Sequence, residues 1–146
     1  ALILLIRYLR RRARGPAAAR EEQRPPEPMH VRTLTALAEI GRRNLWQQGM
    51  VKQYQSEVTD VLRAYIEERF QVPALESTTD ELLAALNMSS MSAAQREQLA
   101  NMLRMADMVK FAKWTPLPVE NEQLLAGAIK LVQQTSAPEP TPSTHA

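Results

Sequence analysis

Few residues in this chain have the type and spacing that chemistry requires. Its only histidines are His30 and His145, 115 positions apart, and neither has a carboxylate or a second histidine at ligand spacing. There is no cysteine, which excludes a disulfide framework, a thiolate nucleophile and a zinc knuckle. The four glycines are scattered, so no glycine-rich loop is available to cradle a phosphate. Glu67 and Glu68 are adjacent and point in different directions on a helix, which fits a solvated face better than a paired acid and base. No catalytic set, metal ligand set or cofactor motif can be assembled, and the expectation is a non-enzymatic protein with no cofactor.

What remains is a set of residues suited to binding. Asp107, Lys110, Phe111, Lys113 and Trp114 combine two aromatic rings with flanking charge, a composition common in interface hot spots. Two readings stay open. In one, Phe111 caps the core beside Phe70 and Asp107 pairs with Lys110 or Lys113. In the other, Phe111 and Trp114 form an aromatic anchor for a partner. Met102, Met105 and Met108 sit on the same stretch. Methionine commonly fills irregular core gaps, and Met102 falls on the buried stripe, whereas Met105 and Met108 could belong to a partner surface.

The elements that must position these residues are helical. Between residues 29 and 135 there are few β-branched runs, and apolar residues recur at helical spacing. A first helix is expected over about Met29 to Gln48, with Val31, Leu34, Leu37, Ala38, Gly41 and Leu45 on one stripe. Gly49 should stop it, with Trp46 packed near the turn. A central helix over about Met50 to Phe70 carries Val51, Tyr54, Val58, Leu62, Tyr65 and Ile66 and ends before Pro73. Thr78 with Glu81, and Ser92 with Gln95, match the capping box. They predict a short helix to about Asn87 and a longer one to about Lys113, which buries Leu99, Leu103 and Val109. After Pro116 and Pro118 a last helix runs from about Val119 to Thr135. The predicted fold class is all-α, a compact bundle of about five helices. The helical pair around Gly49 superficially resembles one tetratricopeptide unit, but no second copy follows at the repeat period.

The flanks differ in kind. Residues 1 to 28 contain seven arginines against three glutamates, whereas residues 29 to 136 contain eleven basic against twelve acidic residues. The isoelectric point of about 9.2 therefore reflects the N-terminal flank, and the near-neutral domain disfavours nucleic acid as partner. Ala1 to Ile6 is wholly apolar and is followed by Arg7, Tyr8, Arg10, Arg11, Arg12 and Arg14. Apolar first and basic second is the order found at the inner boundary of a spanning helix and the reverse of a signal peptide. A span takes about 20 residues, so residues 1–12 are expected to be the inner end of a truncated transmembrane helix with a membrane-flanking basic cluster. Residues 13–28 read as a Pro/Ala-rich linker, residues 29–135 as the helical cytoplasmic domain and residues 136–146 as a disordered tail.

Three stretches resemble a known family: LRAYIEERF at Leu62 to Phe70, PALESTTDELL at Pro73 to Leu83, and ADMVKFAKW at Ala106 to Trp114. Together they resemble the cytoplasmic C-terminal domain of Bat-type (aerotolerance-operon) bacterial membrane proteins, over about residues 34 to 133. The resemblance implies a bacterial inner-membrane location with this domain facing the cytoplasm. It also implies a partner encoded nearby, a MoxR-type AAA+ ATPase or a von Willebrand A-domain protein, and a coupling role. The alternative is a membrane-tethered helix-turn-helix regulator that binds DNA through residues 77–113. Its reading helix would carry only Arg96 as a basic residue in the first turns, beside Glu97, which is poor equipment for base contacts.

Overall fold

A computed structural model describes residues 2–12 and 27–136. Most of the predicted linker, the tail after Ser136 and Arg14 lie outside the described residues, as do the side chains of Arg10, Arg11 and Arg12. Among the described residues there are six α-helices and no strand: α1 (Leu2–Arg12), α2 (Met29–Arg42), α3 (Val51–Phe70), α4 (Thr79–Leu86), α5 (Ala93–Phe111) and α6 (Pro118–Thr135).

The central helix is α3, which packs against α2, α5 and α6. Its buried face holds Tyr54, Val58, Leu62, Tyr65 and Ile66, at the predicted spacing. Two polar residues, Gln55 and Thr59, share that face and are just as buried. Burial of a polar group is costly unless it finds a partner. Thr59 donates to the Gln55 carbonyl at 2.8 Å, and Gln55 Nε2 donates to Asn121 Oδ1 at 3.0 Å. Periodicity in apolar residues gives no signal for either.

The antiparallel packing of α2 on α3 places an ion pair at each end, Arg43 to Glu57 at 2.5 Å beside the turn and Arg32 to Glu68 at 3.1 Å at the far end. The hydrogen bond from Arg43 is the main reason the Glu57 carboxyl titrates below its ordinary range. The first predicted helix is broken before its expected end. Arg42 closes α2, Asn44 adopts φ 50°, and a separate 3-10 turn spans Trp46–Gln48 before Gly49 at φ 85°. Its buried residues are Thr33, Leu37 and Ile40, so the face is rotated from the predicted stripe and Val31 and Ala38 face solvent.

Helix α6 runs parallel to α3. Tyr54 Oη donates to the Asn121 carbonyl at 2.6 Å near the start of both helices, and Arg69 Nε donates to the Thr135 carbonyl at 2.7 Å near their ends. Both capping predictions correspond to helix starts: Ser92 and Gln95 exchange both bonds, whereas at Thr78 only the hydroxyl acts, accepting from the Glu81 N–H at 3.2 Å. Pro118 occupies the first position of α6, where its missing N–H costs nothing.

Helix α1 stands apart from this core. Its large apolar residues Leu2, Ile3, Leu4, Leu5, Ile6, Tyr8 and Leu9 are 43–70% exposed. Eleven residues rise only about 17 Å, and no described helix is long and apolar enough to cross a membrane.

Candidate binding groove between α5 and α6

Helices α5 and α6 are antiparallel neighbours and leave between them a groove of about 490 Å³. Met102, Met105 and Met108 line one wall, Leu124 and Gln123 the other, and Trp114 closes the end. Gly127 forms part of the floor. A β-carbon there would lie 3.2 Å from Met102 Sδ and 3.7 Å from Gln98 Nε2, so a side chain at this position would begin to fill the groove. Met102 is buried, as its place on the apolar stripe predicts, while Met108 is 48% exposed.

The end of α5 sets the mouth of this groove. Lys113 adopts φ 55°, turning the chain back so that the Trp114 N–H donates to the Met108 carbonyl at 3.2 Å. That reversal carries the indole over the groove instead of away along the helix axis. Phe111 is not beside Phe70 and caps no core: it is 82% exposed. Phe70 is covered by Arg69, whose guanidinium carbon lies 4.8 Å from the ring centre. Eight large apolar residues outside α1 are exposed among the described residues, and four of them fall around the α5–α6 connection: Met108 and Phe111 in the last turn of α5, Leu117 in the connection and Val119 at the start of α6. Such clustering, rather than the exposure of single residues, makes this region a candidate contact surface.

The five residues expected to form a partner surface divide in the structure. Trp114 lines the groove's end, whereas Lys110, Phe111 and Lys113 lie in the last turn of α5 and just after it, outside the groove's lining. Neither lysine makes an ion pair among the described residues. Asp107 faces elsewhere. Its Oδ2 accepts from Thr79 Oγ1 at 2.6 Å, and the same hydroxyl accepts from Arg63 Nη2 at 3.0 Å. Arg63 Nη1 also donates to the carbonyls of Ala74 and Ser77, both at 2.9 Å. Asp107 thus anchors a relay that ties α5 to the start of α4 and pins the connection after α3. The motif stretches at Leu62 to Phe70, Pro73 to Leu83 and Ala106 to Trp114 meet in this relay.

The start of α5, which a DNA reader would insert into a groove, is largely occupied with its own chain. Gln95 closes the capping box, and Arg96 Nη1 donates to the Met91 carbonyl at 2.5 Å. Ala93, Ala94 and Glu97 are the exposed residues there. A second cavity, about 250 Å³, lies between α2, the 3-10 turn and α6, lined by Trp46, Tyr54 and Leu125 among others. Tyr54 is buried, and burial pushes its hydroxyl up to about 12.

No family model, curated protein or solved structure matches this chain.

Proposed function

We propose that this chain is a membrane-tethered, non-enzymatic docking domain that takes a protein partner in the α5/α6 groove. The observation that carries the reading is the 82% exposure of Phe111, which stands in the chain midway between Met108 and Trp114, two residues that line the apolar groove. Aromatic rings beside a methionine-lined wall give an adaptable apolar contact. Lys110 and Lys113, which make no ion pair among the described residues, favour a partner segment carrying acidic residues next to its apolar anchor. Tethering is supported by the exposed apolar surface of α1 and the arginines that follow it, a combination suited to lipid and anionic headgroups. The resemblance to Bat-type proteins suggests a bacterial inner membrane with the domain on its cytoplasmic side. It also suggests a MoxR-type AAA+ ATPase or a von Willebrand A-domain protein as the partner, so that the domain couples an envelope protein to that assembly.

The test is co-purification from cells expressing the operon's proteins, followed by titration of the purified partner. Lys110→Glu with Lys113→Glu is expected to abolish capture while leaving thermal stability nearly intact. Phe111→Ala should weaken binding by about tenfold or more, the effect of losing roughly 1.4 kcal/mol at a hot spot. Capture of the partner at normal yield by both variants would rule out this groove. The DNA-binding alternative is checked by titrating duplex DNA over a salt series, where a reader's affinity falls steeply with salt.

A further inference from the structure

Arg7 is the one residue of α1 with a described side chain that is not exposed as an apolar surface, and among the described residues its ion pairs link α1 to the domain. Its Nη2 lies 2.7 Å from Glu67 Oε2 on the last turn of α3, and its Nη1 lies 2.5 Å from Glu76 Oε1 in the turn that follows. The stretch between Arg12 and Met29 could extend over about 55 Å, so the covalent connection alone leaves α1 free to lie against any side of the bundle. The two carboxylates select one side.

We infer that this clip orients the domain, setting the end of the bundle that contains the last turn of α3, the first turn of α2 and the turn around Leu75 against an anionic lipid surface. The inference rests on the proposed tethering and adds a direction to it. Three observations point the same way. The residues of α1 around Arg7 are apolar on every side of the helix, and Arg10 follows within one turn, so Arg7 lies about 4.5 Å along the helix from the start of the basic cluster. Whatever Arg7 holds is therefore held near the headgroups that the cluster would meet. Glu67, Glu68 and Glu76 at this end each have an arginine partner, Arg7 bridging Glu67 and Glu76 and Arg32 meeting Glu68 at 3.1 Å, which offsets two of their three charges. Finally, Val31 and Leu75 are exposed apolar residues at this same end. Arg7 is a positioning residue here. Ion pairs this exposed are weak in water and strengthen where the bilayer lowers the local dielectric.

The consequence is a direction for the groove. Its α6 residues, Glu120 to Gly127, lie about 12–22 Å along that helix from Thr135, which sits at the clipped end through its bond from Arg69. The docking surface would be held off the membrane and open to a partner in solution.

The absence of cysteine from the sequence allows single nitroxide labels on the full chain. One label replaces Leu75 (Leu75→Cys) and another Gln123 (Gln123→Cys), each bound to phosphatidylglycerol/phosphatidylcholine vesicles doped with a nickel-chelating lipid. The Leu75 label should relax several-fold faster than the Gln123 label. In the Glu67→Gln/Glu76→Gln background the chain should sediment with the vesicles at least as well, because two negative charges are removed, but the difference between the labels should vanish. Equal relaxation in the parent, or an undiminished difference in the double variant, would overturn the orientation and leave the tethering intact. If no variant sediments with the vesicles, the tethering reading fails and this inference fails with it.

Discussion

Tyr65 offers the most direct test of how the bundle holds together, because its ring and its hydroxyl can be removed separately. The residue is 2% exposed, near the C-terminal end of the buried face of α3. Its hydroxyl lies 2.9 Å from Thr135 Oγ1, and Thr135 donates its own proton to the Leu131 carbonyl at 2.7 Å. Either hydroxyl can supply the proton of the pair, since Tyr65 Oη also reaches the Val132 carbonyl at 3.4 Å, and removing the Tyr65 hydroxyl leaves Thr135 still able to donate to Leu131. Tyr65→Phe should cost about 1 kcal/mol, the net worth of one buried hydrogen bond. Tyr65→Ala removes the ring as well and leaves a cavity between α3 and α6, for a loss of about 3–5 kcal/mol. In a domain of this size each kcal/mol lowers the melting temperature by roughly 4 °C. The pair should thus melt about 4 °C and at least about 12 °C below the parent, with urea titration at 25 °C giving the same order. A Tyr65→Ala loss under about 0.5 kcal/mol would mean that this face of α3 is not the packed one. A Tyr65→Phe loss equal to that of Tyr65→Ala would refute the division between packing and hydrogen bonding.

Two further outcomes follow from other buried groups. Tyr54 binds its proton more tightly when folded, with its hydroxyl pushed up by burial from 10.0 to about 12. Its contribution is therefore fully present below pH 10 and is lost as pH rises towards 12, up to about 3 kcal/mol, and Tyr54→Phe should flatten the fall in urea stability between pH 9 and 11.5. Asp107→Ala removes the acceptor for the Thr79 hydroxyl and should cost about 1–3 kcal/mol in thermal unfolding, with Asp107→Asn losing less because an amide oxygen can still accept. Unchanged stability together with lost partner capture would return Asp107 to the docking surface.

Much of the helical layout is legible from residue pattern, and the places where it fails share a physical cause. The central stripe on α3, the starts of α4 and α5 at Thr78 and Ser92, and the proline that opens α6 all leave local signals, since periodicity, caps and prolines act within a few residues. The end of α3 at Phe70 is also signalled, by Pro73 three residues on. The ends of α2 and α5 leave less, because Asn44 and Lys113 take the left-handed conformation there, where glycine is the usual occupant and where lysine gives no warning. The buried Gln55 and Asn121 are invisible for a related reason. Each is polar by type and interior only because the other lies across the α3–α6 contact, 66 residues away in sequence.

The region from Ala106 to Trp114 shows how a helix end decides between two readings that composition leaves equal. Sequence places Asp107, Lys110, Phe111, Lys113 and Trp114 together, as either core and ion pairs or partner surface. On α5, Asp107 lies one position from Ala106 and two from Val109, both buried, so it can turn inward to meet Thr79 from across the α4 contact. Phe111 follows the last buried turn and has no helix opposite it. Continuing α5 through Lys113 would have carried Trp114 further along the same axis. The left-handed conformation at Lys113 instead reverses the chain and returns Trp114 to the Met105 and Met108 side of α5. One backbone angle thereby brings Trp114 to the groove, while Asp107, a turn and a half earlier on the same helix, ties α5 to α4.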